Sequence, residues 1–383
     1  MLDPNHAFNS SVSVPGRVNL IGEHIDYHDL PVLPIAIQRR ISIAFRARND
    51  ASVHAASSGY GERQFTLNSQ FEPGPPGDWA NYLKAAAQAA NCRWTLERGI
   101  DAAITSDLPP AAGLSSSSAL LTGFTLALLR ANGIRATFDE LMDVLPQAEH
   151  FVGTRGGGMD HAAVLQSEAG CALLINFAPL KLSPIPIPED WCFLIGHSLT
   201  SAEKSGAMRA EYNARRTIAR RAVQQLGFES FRSAIENRSL EALTALAAQG
   251  AADGRLNALE LDYFLHVVSE SFRVSDAVTA LLQRDGAQFG KLLSASHASL
   301  RDRLRVSSAA LDELVDGALK SGALGARLTG AGFGGCVVIL CEASDCDRVR
   351  GHLVRNYYSR HSADFDPDKH LFAAKPSAGA LNE

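Results

Sequence analysis

One stretch constrains this chain more than any other, and it covers residues 108–119, LPPAAGLSSSSA. Two prolines end whatever precedes it, and Gly113 permits a tight backbone turn. The apolar run that begins at Ala119 predicts a buried helix. A loop of small residues that opens into a helix leaves unpaired N–H groups at the positive end of the helix dipole, which is a site for an anion.

We interpret residues 113–118, the serine loop, as a cradle for nucleotide phosphates. The serine hydroxyls add hydrogen-bond donors, and their oxygens can also bind a hard cation. The alternative is a serine-capped helix after a proline turn, since serine is a favoured N-cap residue. The sequence contains no Gly-x-x-x-x-Gly-Lys-Ser/Thr, so the loop is not a P-loop of the Walker type.

Two further loops carry reactive side chains. In the first, Arg17 offers a planar positive group for phosphate, while Glu23, His24 and Asp26 offer polar groups for a ligand rich in hydroxyls. In the second, residues 153–160, three glycines precede Asp160. The alternatives are a polar surface loop for the first, and for the second a turn in which Asp160 caps the next helix.

Composition limits the function classes. The chain has 383 residues, enough for one large or two medium domains. A formal net charge of −5 argues against a nucleic-acid partner. No signal peptide or membrane-spanning run is visible, and the six cysteines form no Cys-x-x-Cys pair. We therefore expect a cytoplasmic protein with reduced thiols and no membrane partner.

Periodicity predicts an alternation of strands and helices. A helix begins at Trp79, and the three-residue spacing between Trp79 and Tyr82 favours packing of both side chains on one face of this helix. Thr137 opens a capping box at the start of another helix. A glycine-dense turn, residues 330–335, separates two strands and favours close backbone approach or a simple hairpin. The other predicted strands cover residues 11–14, 32–37, 40–47, 53–56, 64–67, 99–104, 169–177 and 192–196, and helices cover residues 205–225 and most of 240–319. Residues 179–188 are predicted to be a proline-rich connection near a domain boundary.

Taken together, four motifs resemble the galactokinases, within the GHMP superfamily of small-molecule kinases. They are residues 16–24 with Asp26 and Tyr27, residues 113–117, residues 158–160 and residues 329–336, in the family's order. The resemblance implies a two-domain α+β fold, with domains 1–178 and 179–383 and the active site in the cleft between them. It implies transfer of the γ-phosphoryl group of ATP to the C1 hydroxyl of galactose, with Mg²⁺, by a monomer.

The resemblance also implies roles for individual residues. The catalytic pair would be Arg17 and Asp160, with Asp160 acting as a general base or as an electrostatic and positioning group. Ser117 and Glu149 would be associated with Mg²⁺. The sugar would contact Glu23, His24, Asp26, Gly157 and Tyr212. ATP would contact Trp79, Tyr82, Gly113, Leu114, Ser115, Ser116, Ser117 and Ser118.

Some positions depart from the usual galactokinase pattern. Ile25, His28 and His161 stand where threonine, asparagine and glutamine are usual. The three glycines at 156–158 are similar to those of N-acetylgalactosamine kinases in the same family, so the acceptor stays open. Another alternative is a non-catalytic sensor of sugar and ATP, against which stand Arg17, Asp160 and the complete serine loop.

Overall fold

The computed structural model describes residues 8–67, 70–110, 112–200, 206–362 and 365–382. Its strands are β1 (Ser10–Ile21), β2 (Leu33–Ala47), β3 (Ser52–Ser57), β4 (Gly61–Thr66), β5 (Ile100–Ser106), β6 (Cys171–Phe177), β7 (Leu180–Pro186), β8 (Trp191–His197), β9 (Gly325–Thr329), β10 (Cys336–Glu342) and β11 (Leu371–Ala374).

The α-helices are α1 (Ala80–Arg93), α2 (Ser116–Ala131), α3 (Phe138–Ala148), α4 (Met159–Gln166), α5 (Gly206–Gln225), α6 (Phe231–Ile235), α7 (Leu240–Ala252), α8 (Ala258–Leu282), α9 (Gly286–Ser299), α10 (Ala309–Lys320), α11 (Cys346–Leu353), α12 (Ser359–His361) and α13 (Pro367–His370). Short 3₁₀ turns cover Asp26–His28, Glu149–Val152 and Ala343–Asp345, and π-helical turns cover Leu300–Leu304 and Val354–Tyr358. Searched over the described ranges, none of the helices combines the length and apolar character needed to cross a membrane.

The first sheet has the order β1-β2-β5-β3-β4 and lies under the apolar helix α2. Gly123 allows this contact, because a Cβ there would lie 3.1 Å from side-chain atoms of Ile43 and Val14. The first strand is longer than the predicted residues 11–14, which precede Pro15. β1 continues to Ile21, and its pairing with β2 shifts register between Pro15 and Arg17. Such an irregularity bends the strand locally, here just before Arg17.

Two further sequence predictions need correction. The strands predicted at 32–37 and 40–47 form the single strand β2. The predicted connection at 179–188 contains β7, which pairs with β6 in a two-stranded sheet and tolerates its prolines because a two-stranded sheet has only edge strands. The boundary predicted between residues 178 and 179 falls at the turn of this hairpin and stays a prediction.

The remaining assignments agree with the structure. The capping box at Thr137 is present at the start of α3, and the helices predicted from Trp79 and Ala119 are α1 and α2. The helix predicted from Ser205 is α5, although Ser205 itself lies outside the described residues.

The second sheet has the order β11-β8-β10-β9 and is antiparallel throughout. The two sheets meet where β1 approaches β9. There the backbone N–H of Asn19 donates to the Thr329 hydroxyl at 3.1 Å. The last described residues return to the first half of the chain, where the Ala380 amide donates to the Val164 carbonyl at 2.8 Å. These long-range contacts fix the relative positions of the loops that surround the site.

Candidate active site

The serine loop, the loop that carries Glu23, His24 and Asp26, the loop of residues 153–160 (the three-glycine loop) and the glycine turn all line one cavity of about 1010 Å³. Of the residues singled out from the sequence, it is lined by Arg17, Glu23, His24, Asp26, Trp79, Tyr82, Gly113, Ser115, Ser116, Ser117, Glu149, Asp160 and Tyr212. The other three, Leu114, Ser118 and Gly157, hydrogen-bond to lining residues. The volume lies at the upper end of the range for small-molecule sites, which is roughly 300–1,000 Å³.

Arg17 and Asp160, which both line the cavity, form an ion pair. Arg17 Nε donates to Asp160 Oδ1 at 2.7 Å, and Arg17 Nη1 donates to the carbonyl of Gly113 at 2.7 Å. Burial would lower the pKa of Arg17, but the carboxylates of Asp160 and Glu23 outweigh it and the pKa is raised. Asp160 lies in the first turn of α4, where the helix dipole favours a negative charge.

The serine loop turns its first hydroxyl toward the same carboxylate. Ser115 Oγ donates to Asp160 Oδ2 at 2.5 Å, and Ser115 has a positive φ of 57°. Ser115 occupies the N-cap position of α2 without a side-chain capping bond, so the alternative of a serine-capped helix is wrong. We call Arg17, Ser115 and Asp160 the carboxylate cluster.

Glycine lets the serine loop meet the glycine turn. A Cβ on Gly113 would lie 2.8 Å from the Thr329 carbonyl oxygen, and a Cβ on Gly330 would lie 2.8 Å from the Gly113 carbonyl oxygen. Both glycines also have positive φ values. The glycine turn therefore serves close backbone approach between two loops, and it also connects the paired antiparallel strands β9 and β10 as a hairpin, so both interpretations that the sequence left open apply.

A second buried carboxylate lies beside the cluster. Ser118 Oγ donates to Glu149 Oε1 at 2.5 Å and lies 3.4 Å from Asp160 Oδ2. His161 Nε2 lies 3.5 Å from Glu149 Oε1, and His161 Nδ1 shares a 3.2 Å hydrogen bond with the Thr122 hydroxyl. The resemblance associates Ser117 and Glu149 with Mg²⁺, and that association stays a prediction. The hydroxyl that contacts Glu149 in the structure belongs to Ser118, one residue further along the helix.

The loop of residues 22–27, which we call the 22–27 loop, packs against the three-glycine loop. Asp26 Oδ2 accepts a hydrogen bond from the Gly157 amide at 2.9 Å. A Cβ on Gly157 would lie 2.2 Å from the Asp26 carbonyl carbon, so glycine is required there. Burial, followed by the nearby charge of Asp160, raises the pKa of Asp26 to about 6.

His24 and Tyr212 form the aromatic side of this loop. His24 Nδ1 lies 3.0 Å from the Tyr27 hydroxyl, and burial lowers the pKa of His24 to about 3, so the ring is neutral at pH 7. The Tyr212 ring, from α5, lies 5.3 Å from the His24 ring and 5.6 Å from the Tyr27 ring between centroids.

Arg327 and Glu270, both buried, fasten the 22–27 loop from the second half of the chain. Arg327 Nη2 donates to Glu23 Oε2 at 2.6 Å, and its Nη1 donates to the Leu20 carbonyl at 2.8 Å. Glu270 Oε1 accepts from the amides of Gly22 and Glu23 at 3.0 and 3.3 Å. Sequence reasoning missed both residues. A charged residue inside the apolar strand β9 was a signal for Arg327, whereas Glu270 looks like any charged residue of a helix.

Trp79 and Tyr82 line the cavity at the start of α1. The Trp79 indole is 9% exposed and donates to the Tyr60 carbonyl at 3.1 Å. Tyr60 and the polar residues Ser57 and Ser58 also line the cavity. This end of the cavity therefore combines aromatic surface with small polar groups.

Three family profiles match the sequence. They are the galactokinase galactose-binding signature over residues 5–47, the GHMP kinases N terminal domain over residues 81–168 and the GHMP kinases C terminal profile over residues 277–359.

Known proteins resemble the chain over most of its length. The galactokinase of Chloroflexus aurantiacus is 39% identical over 92% of this chain and 89% of its own length. The galactokinase of Mycobacterium tuberculosis H37Rv is 35% identical over 89% of this chain and 90% of its own. Lactococcus lactis galactokinase complexed with galactose superposes with a TM-score of 0.85 at 27% identity, covering 97% of this chain and 95% of that one.

Proposed function

This chain belongs to the galactokinases of the GHMP kinase family, and from that membership we propose how its residues transfer the γ-phosphoryl group of ATP to the C1 hydroxyl of galactose. The observation that carries the proposal is the carboxylate cluster, which lies in one cavity with the galactose-signature residues Glu23, His24 and Asp26. Phosphoryl transfer needs alignment and charge neutralisation more than covalent chemistry, and these groups supply both.

Asp160 is proposed to receive the sugar. Its two oxygens accept hydrogen bonds from Arg17 and Ser115, which fix the orientation of the carboxylate. From there Asp160 either takes the proton of the C1 hydroxyl or holds that hydroxyl in line with the γ-phosphate. Arg17 stabilises negative charge on the transferring group, because its guanidinium is buried and held in place on two sides.

The serine loop and the start of α2 are proposed to hold the phosphates of ATP. The first backbone N–H groups of α2 lie at the positive end of the helix dipole, where anions bind, and Ser115, Ser116 and Ser117 line the cavity there. The residues proposed for this contact are Gly113, Leu114, Ser115, Ser116, Ser117 and Ser118. Trp79 and Tyr82 are proposed to flank the adenine base, since they line the same cavity as the serine loop.

The donor set around Glu149 fits Mg²⁺. Glu149 is 8% exposed, and the hydroxyl of Ser118 lies between its carboxylate and that of Asp160. Mg²⁺ prefers oxygen ligands and commonly uses one or two carboxylates together with substrate phosphates. We propose that Glu149 and the hydroxyl of Ser117 or Ser118 hold the ion, which when bound neutralises charge on the phosphates.

The sugar is proposed to lie against Glu23, His24, Asp26, Gly157 and Tyr212. His24 is neutral, and both of its ring nitrogens have partners, Nδ1 the Tyr27 hydroxyl and Nε2 the Ala331 carbonyl, so it would contact the sugar through its ring without adding charge. Glu23 already binds Arg327 and the Gly330 amide through Oε2. This arrangement fixes its carboxylate for recognition of a hydroxyl.

N-acetylgalactosamine is a second candidate acceptor. A Cβ on Gly156 would meet only the Glu149 carboxylate, at 3.8 Å, and Gly156 lines the cavity, so there is space on this side of the site. A roomy pocket discriminates between similar substrates by only about 10–200-fold. We expect galactose to have the higher kcat/KM and N-acetylgalactosamine to be a measurable minor substrate, and kinetics on both sugars in one preparation tests this.

Galactose-dependent release of ADP is the direct test of the proposed function. The active enzyme releases ADP only when galactose, ATP and Mg²⁺ are all present. Binding of galactose and ATP without ADP release would instead identify a sensor. We further propose that residues 1–178 and 179–383 are the two domains and that the enzyme acts as a monomer; limited proteolysis and sedimentation test these points.

A further inference from the structure

Three cysteines lie close together at the second sheet, outside the cavity. Cys192 lies on β8, Cys341 on β10 and Cys346 at the start of α11, and their sulfur atoms all lie within 4.8 Å of one another. Cys192 Sγ and Cys346 Sγ are 2.8 Å apart, and the Cys341 thiol donates to the Cys192 carbonyl at 3.7 Å. We call these residues the thiol cluster.

The fold creates this cluster from residues that are distant in sequence. Cys192 and Cys341 are directly opposite each other in the β8–β10 register, so their side chains lie on one face of the sheet. The 3₁₀ turn Ala343–Asp345 then returns the chain so that Cys346 reaches the same face. Cys341 is buried, while Cys192 and Cys346 are half-buried, so the cluster is reachable from one side.

We propose that the thiol cluster binds a soft, thiophilic cation of the Cu(I) class through three sulfur atoms. Soft thiolate ligands select Cu(I) and Zn²⁺ over hard cations. Within the described ranges, the ligand atoms that lie within 4.8 Å of one another in this group are all sulfur atoms. Three sulfurs suit three-coordinate Cu(I), whereas a structural zinc site needs a fourth ligand.

Charged residues follow Cys346 in α11. Among them are Asp347, the next residue, and Arg350, one helical turn further along. The Nε atom of Arg350 is buried and has no hydrogen-bond partner within the described residues. Each thiol that becomes a ligand releases its proton to solvent, and copper enters and remains as Cu(I), so the binding requires no oxidant.

The thiol cluster is independent of the kinase chemistry. Cys336 begins β10 beside the glycine turn, and Cys341 lies five residues later in the strand, about 16 Å away at about 3.3 Å per residue. The residues that line the cavity include none of the three cysteines. Cysteine variants should therefore keep galactokinase activity.

A competition experiment tests the proposal. The metal-free, reduced protein is titrated under nitrogen with Cu(I) against a chromophoric Cu(I) chelator. We expect one Cu(I) per chain to leave the chelator and X-ray absorption to show sulfur ligands only. Cys192→Ser and Cys346→Ser should each lower the affinity more than about 10-fold, because each removes a ligand. The matched variants Cys92→Ser and Cys171→Ser, outside the cluster, should bind as the wild type does.

Galactose-dependent ADP release by every variant serves as the check that it has folded. The proposal is overturned if the reduced wild type takes no Cu(I) from the chelator, or if Cys192→Ser and Cys346→Ser bind Cu(I) unchanged. It is also overturned if oxygen or nitrogen ligands appear in the absorption spectrum, or if Zn²⁺ displaces Cu(I) at equal concentration.

Discussion

The carboxylate cluster and the 22–27 loop share one cavity but are held in different ways. The cluster is closed by hydrogen bonds among Arg17, Ser115 and Asp160, all from the first half of the chain. The 22–27 loop is fastened by Arg327 and Glu270, which come from the second half. We infer that the first half supplies the chemistry, and that the second half supplies the rigidity on which sugar recognition depends.

The largest expected effect is on the chemistry. Asp160→Asn keeps the shape of the side chain but removes its charge and basicity, and loss of a general base typically lowers the rate about 10²–10⁴-fold. ATP affinity should stay close to that of the wild type, whereas the melting temperature should fall, because the buried Arg17 loses its counter-ion. Steady-state kinetics and ATP titration measure this, with the exposed Asp139→Asn as the matched control. A near-normal kcat would remove Asp160 from the mechanism.

A substitution of Arg327 tests how the second half of the chain holds the 22–27 loop. Arg327→Met leaves the buried Glu23 carboxylate without its cation, and breaking a buried ion pair typically costs about 3–5 kcal/mol. We expect a lower unfolding free energy and a higher KM for galactose, with ATP binding less affected. Arg301→Met is the surface control, since the Arg301–Asp302 pair is exposed. Unchanged stability and KM would show that Arg327 does not support the loop.

Asp26 lies where the two regions meet, and its pKa gives a pH test. The raised value of about 6, against an ordinary 3.8, means that the folded protein keeps a proton that the unfolded chain has released. The raised pKa therefore lowers the free energy of unfolding as the pH rises. The decrease is absent below about pH 4, is complete above about pH 7 and amounts to about 2–3 kcal/mol. Asp26→Asn should therefore remove part of the fall in unfolding free energy as pH rises through this window. Parallel curves for the two proteins would contradict the assignment.

Two conservative arginine replacements sharpen the comparison. Arg17→Lys keeps the charge but loses the planar group that binds both Asp160 and the Gly113 carbonyl. A hydrogen bond to a charged group contributes about 1.5–3 kcal/mol, so we expect kcat to fall roughly 10–150-fold. Arg327→Lys should instead change KM for galactose more than kcat. The division of roles fails if both variants lose kcat equally.

The smallest expected effect distinguishes two adjacent serines. If Ser118 helps Glu149 hold Mg²⁺, Ser118→Ala should raise the Mg²⁺ concentration needed for half-maximal activity by several-fold, at about 1 kcal/mol for one hydrogen bond. Ser117→Ala is the matched variant on the same turn of α2. A larger shift in Ser117→Ala would support the assignment made from the sequence motif, and unchanged titrations in both would exclude each serine as a ligand.

Local sequence was sufficient for much of the site. The serine loop, the three-glycine loop and the residues around Arg17 were recognisable because each needs particular residues within a short span. Gly157, for example, is required because any side chain there would collide with the backbone of Asp26. The capping box at Thr137 and the buried helix α2 were predictable for the same reason, since both depend on neighbours a few residues away.

Other features depended on contacts that no local pattern encodes. β1 continues past Pro15 because a register shift and pairing with β2 accommodate the proline, and β7 forms because β6 is available as a partner. The choice of Ser118 over Ser117 beside Glu149 depends on how α2 is rotated against the sheet, since adjacent helical residues point about 100° apart.

The sequence by itself therefore determined the family, the reaction and many of the polar residues that line the cavity, because phosphate and sugar recognition require short runs with fixed chemistry. Only the tertiary structure decided which groups hold those runs in place. Arg327 contacts Glu23 across 304 residues of sequence, and Cys192 meets Cys346 across 154. Such pairs are brought together by sheet register and helix packing, which depend on the whole core and not on any single segment.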